Sequence, residues 1–197
     1  MSEDICVVIQ GQTNSRIVDI RKAWNKYLPN VVFSTWKGDP NLSLYEKSDC
    51  VLLNDVPHNP CFGNLNLQKI STLAGIRFAK EKGFSRVLKI RSDMLPVDSD
   101  KFMNMFKDEH NFYLFSWINH RDGYYTDYFM CGDTQSMECV WDFDVENTEY
   151  DYPEQVLSKN IKALNKNIVE CYHQMNNSND IFRCKQNDFL KITFNPH

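Results

Sequence analysis

At 197 residues the chain has the length of one ordinary domain, and its 42% hydrophobic and 13% aromatic content is that of a folded chain, not a disordered one. A net charge of -4, with no basic stripe interleaved with aromatics, argues against a nucleic-acid binder, and no apolar run approaches the roughly 18 residues of a membrane span. The seven cysteines form no CxxC, so they read as reduced, mostly apolar residues of a cytoplasmic protein, not as a zinc site or disulfide framework. The acidic start, Met1 to Asp4, leads straight into a strand, so no secretory signal is expected.

Ile5 to Ile9 is a continuous apolar run, the pattern of a buried parallel strand. It ends in the polar turn Gln10, Gly11, Gln12, Thr13, with Asn14 or Ser15 as cap of a helix whose apolar face is Ile17, Ile20, Trp24 and Tyr27. Pro29 and Asn30 are expected to stop that helix. Val31 to Phe33 begin a second strand that runs out in Ser34, Thr35 and Trp36, which makes a strand–helix–strand unit with a right-handed crossover. No GxGxxG follows the first strand and no GxxxxGK[ST] occurs, which disfavours a dinucleotide fold of that type and a P-loop enzyme. Gln10, Gln12 and Thr13, and Ser34, Thr35 and Trp36, are placed to flank a planar base; ordinary turn chemistry and a buried tryptophan are the alternative.

Cys50 to Leu53 read as a third strand, followed by an irregular segment from Asn54 and Asp55 to Pro60. Gly63 and Asn64 precede a long helix with Leu67, Ile70, Leu73, Ala74 and Phe78 on its apolar face and Gln68, Ser71 and Arg77 on others. Gly75 in mid-helix costs about 1 kcal/mol relative to Ala, which points to close packing on the sheet. Gly83 ends this helix.

Val87 to Met94 is the organising stretch: a short buried strand that stops at Arg91, Ser92 and Asp93, with Pro96 ending the ladder. Ligands of α/β proteins bind at the carboxyl ends of strands. Asp93 there offers an oxygen ligand for a hard cation; the alternative is a carboxylate paired with Arg91 or Lys89. A short helix with Phe102, Met105 and Phe106, capped by Asp98, Ser99 or Asp100, leads to a strand at Phe112 to Trp117. The aromatic-rich strand Tyr124 to Asp133 carries Asp127, which suits a general base or a hydrogen bond to a tyrosine or backbone group. Helices are predicted at Thr134 to Trp141 and from Pro153 to Leu164, with Glu154 as a first-turn acid. Ile168 and Val169 form a weak strand, and Phe189 to Phe194 a last apolar patch. His58, His120 and His173 lack metal-ligand spacing.

Several blocks keep a common order: Val8 to Gly11, Phe33 to Trp36, Asn54-Asp55, Asn64 to Thr72 with Gly75, Leu88 to Asp93, Thr126 to Phe129 with Gly132-Asp133, and Pro153 to Gln155. In these blocks the chain resembles the WavE lipopolysaccharide-synthesis family of glycosyltransferases, up to about Leu164. The resemblance implies a single GT-A-like α/β domain with a mostly parallel central sheet flanked by helices. A nucleotide-sugar-binding part spans about 1–96 and an acceptor and catalytic part about 97–197. It also implies a nucleotide-sugar donor, a glycan acceptor, and Mn²⁺ or Mg²⁺ held by a DxD-like element. Arg91 stands where the first aspartate of such an element is usual, so direct neutralisation of phosphates by Arg91 is the alternative. Gln12 stands where the family pattern has proline.

The resulting expectation is glycosyl transfer with inversion. Asp127 is the base and Glu154 the second choice. Asp93 is the metal ligand, and Gln10–Thr13, Ser34–Trp36, Asn54, Asp55, Gln68, Arg91 and Ser92 bind the donor. A non-catalytic nucleotide- or glycan-binding module and a metal-dependent nucleotidyl or phosphoryl transferase are the rivals. The expected setting is a bacterial cytoplasm, or a host cytoplasm for a viral protein, within a larger glycosylation system.

Overall fold

Side chains of the first strand, β1 (Ile5–Gln10), alternate between two separate cores, because successive residues of a strand point to opposite faces. The structure, a computed structural model, describes residues 4–13, 15, 17–96, 99–106, 108–117, 124–146, 151–174, 181–184 and 189–194. Ile5, Val7 and Ile9 pack with Ile17 and Ile20 of α1 (Ile17–Ala23) and with Phe102 of α3 (Ser99–Asn104). Cys6 and Val8 face Leu73, Ile76 and Ala79 of α2 (Leu65–Glu81), Val140 and Trp141 of α4 (Thr134–Trp141), and Leu157 and Ile161 of α5 (Pro153–Lys162). Helices therefore cover both faces of the sheet, as its continuous apolar strands require.

The strands run in the order β3 (Cys50–Asn54), β2 (Val31–Trp36), β1, β4 (Arg86–Arg91), β7 (Tyr125–Asp133), β6 (Asn111–Trp117) and β8 (Asn167–Gln174). All of these run the same way except β7, which lies antiparallel between β4 and β6. The expected single α/β domain with a mostly parallel sheet is the fold observed. The sheet continues through β9 (Ile181–Cys184), β10 (Phe189–Phe194) and β5 (Met94–Pro96) by antiparallel pairs.

Two local expectations differ, at the first helix and on the buried face of α2. The first helix ends at Ala23, and Asn25–Asn30 form a 3₁₀ segment with Pro29 inside it. That tighter turn keeps the fully buried Trp24 edge-on to both Tyr27 and Phe102, each at 6.1 Å. Pro96 ends its strand as expected: it is the last residue of β5, which is itself the last strand of the sheet, where a residue without an N–H is tolerated. The buried face of α2 includes Ser71, Thr72 and Gly75, while Leu67 turns to a cleft described below. Ser71 is buried because it bonds to polar residues at the strand ends. Gly75 sits where a Cβ would lie 2.2 Å from Val8 Cγ1, so the predicted close approach of helix to sheet is present. The expected cap residues Asn14 and Asp98, and His120, lie outside the described residues.

Candidate active site

The carboxyl ends of β1, β2 and β4 meet at one edge, because the register sets Gln10 beside both Ser34 and Arg91. Antiparallel pairing of Ile90 with Phe129 brings the start of β7, with Asp127 and Tyr128, to the same edge. A cavity of about 350 Å³ opens there, between the strand ends and the first turns of α2. Its wall includes nine predicted residues: Gln10, Gly11, Gln12, Trp36, Gln68, Arg91, Ser92, Asp93 and Asp127. Gly63, Asn64 and Leu67 complete it.

The first turn is held by backbone bonds. Gly11 N–H donates to Ser34 O at 3.1 Å and Ser92 N–H to Gln10 O at 2.8 Å, while the Ser92 hydroxyl donates to Gln12 O at 2.7 Å. Gly11 has φ +118°, and a Cβ there would lie 3.0 Å from Ser92 Oγ, so glycine is needed on both counts.

Thr13, Ser34, Thr35 and Asn54 do not line the cavity; they brace it. The Asp39 carboxylate accepts from Thr13 N–H at 2.7 Å, the Thr35 hydroxyl at 2.8 Å and Asn41 N–H at 2.9 Å. Burial raises the pKa of Asp39, but these donors outweigh it and hold the carboxyl below its usual value. Asn54 Nδ2 donates to Ser34 Oγ and Thr35 O, and the Ser34 hydroxyl to Ser71 O at 2.6 Å. Gln10 Nε2 donates to Ser71 Oγ at 2.9 Å. Asp55 pairs with Lys37 on the surface, away from the cavity. Glu154 is half-buried in the first turn of α5, whose Pro153 would touch a Cβ at Gly63; its charge helps raise the Tyr128 pKa without Glu154 lining the cavity.

Charge at the site is organised as two cations and two carboxylates. Arg91 forms a two-point pair with Asp93, Nε to Oδ1 at 2.9 Å and Nη2 to Oδ2 at 2.5 Å. Its Nη1 lies 3.6 Å from Asp127 Oδ2, and its guanidinium sits 5.3 Å from the Tyr128 ring centre. Lys89, fully buried, donates to the Asp127 carbonyl oxygen, lies 4.0 Å from Asp127 Oδ2, and stands over the Trp141 ring. Burial pushes the Lys89 ammonium down to about 8, with Asp127 opposing the fall. For Arg91, burial lowers the pKa, but Asp127 and Asp93 outweigh it and drive the net shift upward. Burial first, then Asp127, pushes the Tyr128 phenol up to about 12.

Three residues that line the cavity each hold a buried oxygen with no hydrogen-bond donor: Gln10 Oε1, Gln68 Oε1 and Asp127 Oδ2, the last with only the ion-pair contacts to Arg91 and Lys89. Unsatisfied buried acceptors are uncommon, and here three belong to one site.

The Mn²⁺ or Mg²⁺ implied at Asp93 does not fit this donor set. Both Asp93 oxygens are taken by Arg91, whose guanidinium also faces Asp127. Among the described residues no group of three or more His, Cys, Asp or Glu side chains is arranged to hold a metal ion.

Lys89, named from the sequence only as a possible partner of Asp93, and Asp39 and Ser71 were not among the predicted site residues. Lys89 stands between apolar neighbours on a central strand, and a lysine there has to find partners; that was the available signal. Asp39 and Ser71 gave none.

The fold is similar to that of two solved structures. One solved structure, a nucleotide-diphospho-sugar transferase from Desulfovibrio desulfuricans, superposes with a TM-score of 0.53 at 12% identity, covering 87% of this chain and 80% of that one. The mannose-1-phosphate geranyltransferase of Thermus thermophilus superposes with a TM-score of 0.51 at 9% identity, covering 84% and 69%. Identity this low speaks for the fold, and it supports the GT-A-like reading at that level. No family model matches the chain, and no curated protein matches it significantly. Among the described residues no helix is long and apolar enough to cross a membrane.

Proposed function

We propose that the protein transfers a sugar from a nucleotide-sugar donor to a hydroxyl of a glycan acceptor. The observation that carries this reading is the cavity at the carboxyl ends of β1, β2 and β4, lined by Gln10, Gln12, Gln68, Ser92 and Asp127 and presenting the guanidinium of Arg91. A nucleotide sugar suits such a wall: its hydroxyl and N–H groups match the amides, and its diphosphate matches the guanidinium. The superposed transferase, named for nucleotide-diphospho-sugar chemistry, supports the same class.

Gln10, Gly11, Gln12 and Trp36 then take the base and ribose, and Arg91 with Ser92 the diphosphate. The Asp127 carboxylate accepts the proton of the acceptor hydroxyl as that oxygen bonds to the anomeric carbon. The bond from that carbon to the diphosphate breaks, and the nucleoside diphosphate leaves with the electron pair. Attack from the face opposite the leaving group inverts the anomeric centre. Glu154 is the second candidate for the base. The proposed setting is the cytoplasm, as part of a larger glycosylation system; Cys6, Cys50, Cys131 and Cys139 are free thiols, consistent with a reducing compartment.

Transfer and hydrolysis of UDP-, GDP- and dTDP-sugars, followed with and without glycan acceptors, test the reading. Asp127→Asn is expected to lower the rate by about 10²–10⁴-fold while donor affinity stays nearly unchanged. Turnover absent across the whole panel, with a nucleotide still bound, would replace the enzyme by a binding module.

A further inference from the structure

We propose that Arg91 occupies the position a divalent cation would otherwise fill, so that the donor diphosphate is held by a guanidinium braced between Asp93 and Asp127 and binds without a metal ion. This rests on the nucleotide-sugar reading of the cavity.

Three features of geometry carry it. First, Arg91 is in contact with both carboxylates at the strand edge: two-point on Asp93, and 3.6 Å from Asp127 Oδ2 through Nη1. A metal ion entering between them has to expel a fixed positive charge and then sit beside it. Second, the guanidinium carries five N–H groups, and the Asp93 pair uses two. The remaining N–H groups belong to Nη1 and Nη2 of a residue on the cavity wall, in the planar fork that matches phosphate oxygens. Third, the orientation is over-determined, because Asp93 holds one edge of the guanidinium and the Tyr128 ring lies 5.3 Å from its centre. Lys89 adds a second positive charge 4.0 Å from Asp127 Oδ2. Lys89, Arg91, Asp93 and Asp127 together are electroneutral, so the two carboxylates are not a bare anionic cluster in need of a hard cation. The diphosphate meets a cation that is permanently charged and already oriented.

The test is calorimetric titration of the full chain with UDP, GDP and dTDP in metal-stripped buffer with EDTA, and again with excess Mn²⁺. The nucleoside diphosphate that binds is expected to do so with Kd values agreeing within about threefold between the two conditions. Arg91→Gln is expected to weaken it by about tenfold to a hundredfold, the loss of a charge-assisted contact, and Arg91→Lys by less. Binding that appears only with Mn²⁺ would overturn the metal-free site and leave the nucleotide reading standing. Absence of binding in both conditions would overturn the nucleotide reading and this inference with it. Mn²⁺ alone, followed by its electron-spin resonance, gives a second readout that does not depend on nucleotide. The wild-type chain is expected to take up none at this site, and Arg91→Asp, which adds a third carboxylate in place of the cation, to take up one ion. Stoichiometric uptake by wild type that Asp93→Asn abolishes would refute the inference even if the Arg91 variants fail to fold.

Discussion

Replacing Gly75 by alanine sets two effects of opposite sign against each other at one position. Helix propensity alone favours alanine by about 1 kcal/mol in a helix interior. The tertiary structure opposes it: a Cβ at Gly75 would lie 2.2 Å from Val8 Cγ1, 3.0 Å from Cγ2 and 3.2 Å from Cβ. Carbon atoms in comfortable contact stand about 3.5–4.0 Å apart. Val8 has no exposed surface and lies on β1 between β2 and β4, so it cannot retreat. Val8 must leave its rotamer or α2 must lift from the sheet, and forced overpacking of this kind costs about 1–3 kcal/mol. An approach as close as 2.2 Å belongs to the upper part of that range, about 2–3 kcal/mol, so after the propensity gain Gly75→Ala is expected to lose about 1–2 kcal/mol. Urea denaturation reads this as a lower midpoint at an unchanged m-value. Val8→Ala alone should cost about 2 kcal/mol by leaving a cavity, and less in the Gly75→Ala background, where the new methyl fills that space. The coupling of the pair is the decisive quantity. A Gly75→Ala chain as stable as wild type, or strict additivity with Val8→Ala, would refute the steric argument. Because α2 also carries Gln68 and Ser71, a lifted helix should weaken ligand binding in parallel.

Two further outcomes follow from the buried charges. Lys89 titrates at about 8 when folded and 10.5 when unfolded, so the unfolded chain binds more protons between those values and stability rises with pH there. The complete rise is on the order of 3 kcal/mol, and Lys89→Met should lack it when pH-dependent melts of the two chains are subtracted. The subtraction removes the opposing loss at higher pH from Cys6, Cys131, Tyr45 and Tyr128, all pushed up to about 12 mainly by burial. Asp39→Ala strips the acceptor from two buried donors and one half-buried donor and should cost about 2–4 kcal/mol, with weaker donor binding, measured by denaturation and calorimetry. Since Asp39 is held below its usual 3.8, its contribution is present above that pH and fades as the pH falls through the folded value, so wild type and variant should converge in acid.

The sheet and its helices were largely legible because local chemistry sets them. Unbroken apolar runs at Ile5 to Ile9 and Val87 to Ile90 can be satisfied only inside a sheet covered on both faces, and Gly75 announced a close helix–sheet contact. Residue type and strand ends were also enough to single out Arg91, Asp93 and Asp127 as a group that had to find partners or face a cleft. Pairing was not legible. Only the antiparallel insertion of β7 beside β4 brings Asp127 to Arg91, and only the register of β1 sets Gln10 next to Ser34 and Arg91. Those contacts join residues dozens of positions apart, and no periodicity encodes them. The same holds for the polar seam through Ser71 and Asp39, where burial follows from bonds to distant partners. Asp93 shows the division most clearly: its carboxylate was plain in the sequence, but whether it meets a cation from solution or one from its own chain was decided by the turn after β4. That turn folds Arg91 back onto Asp93.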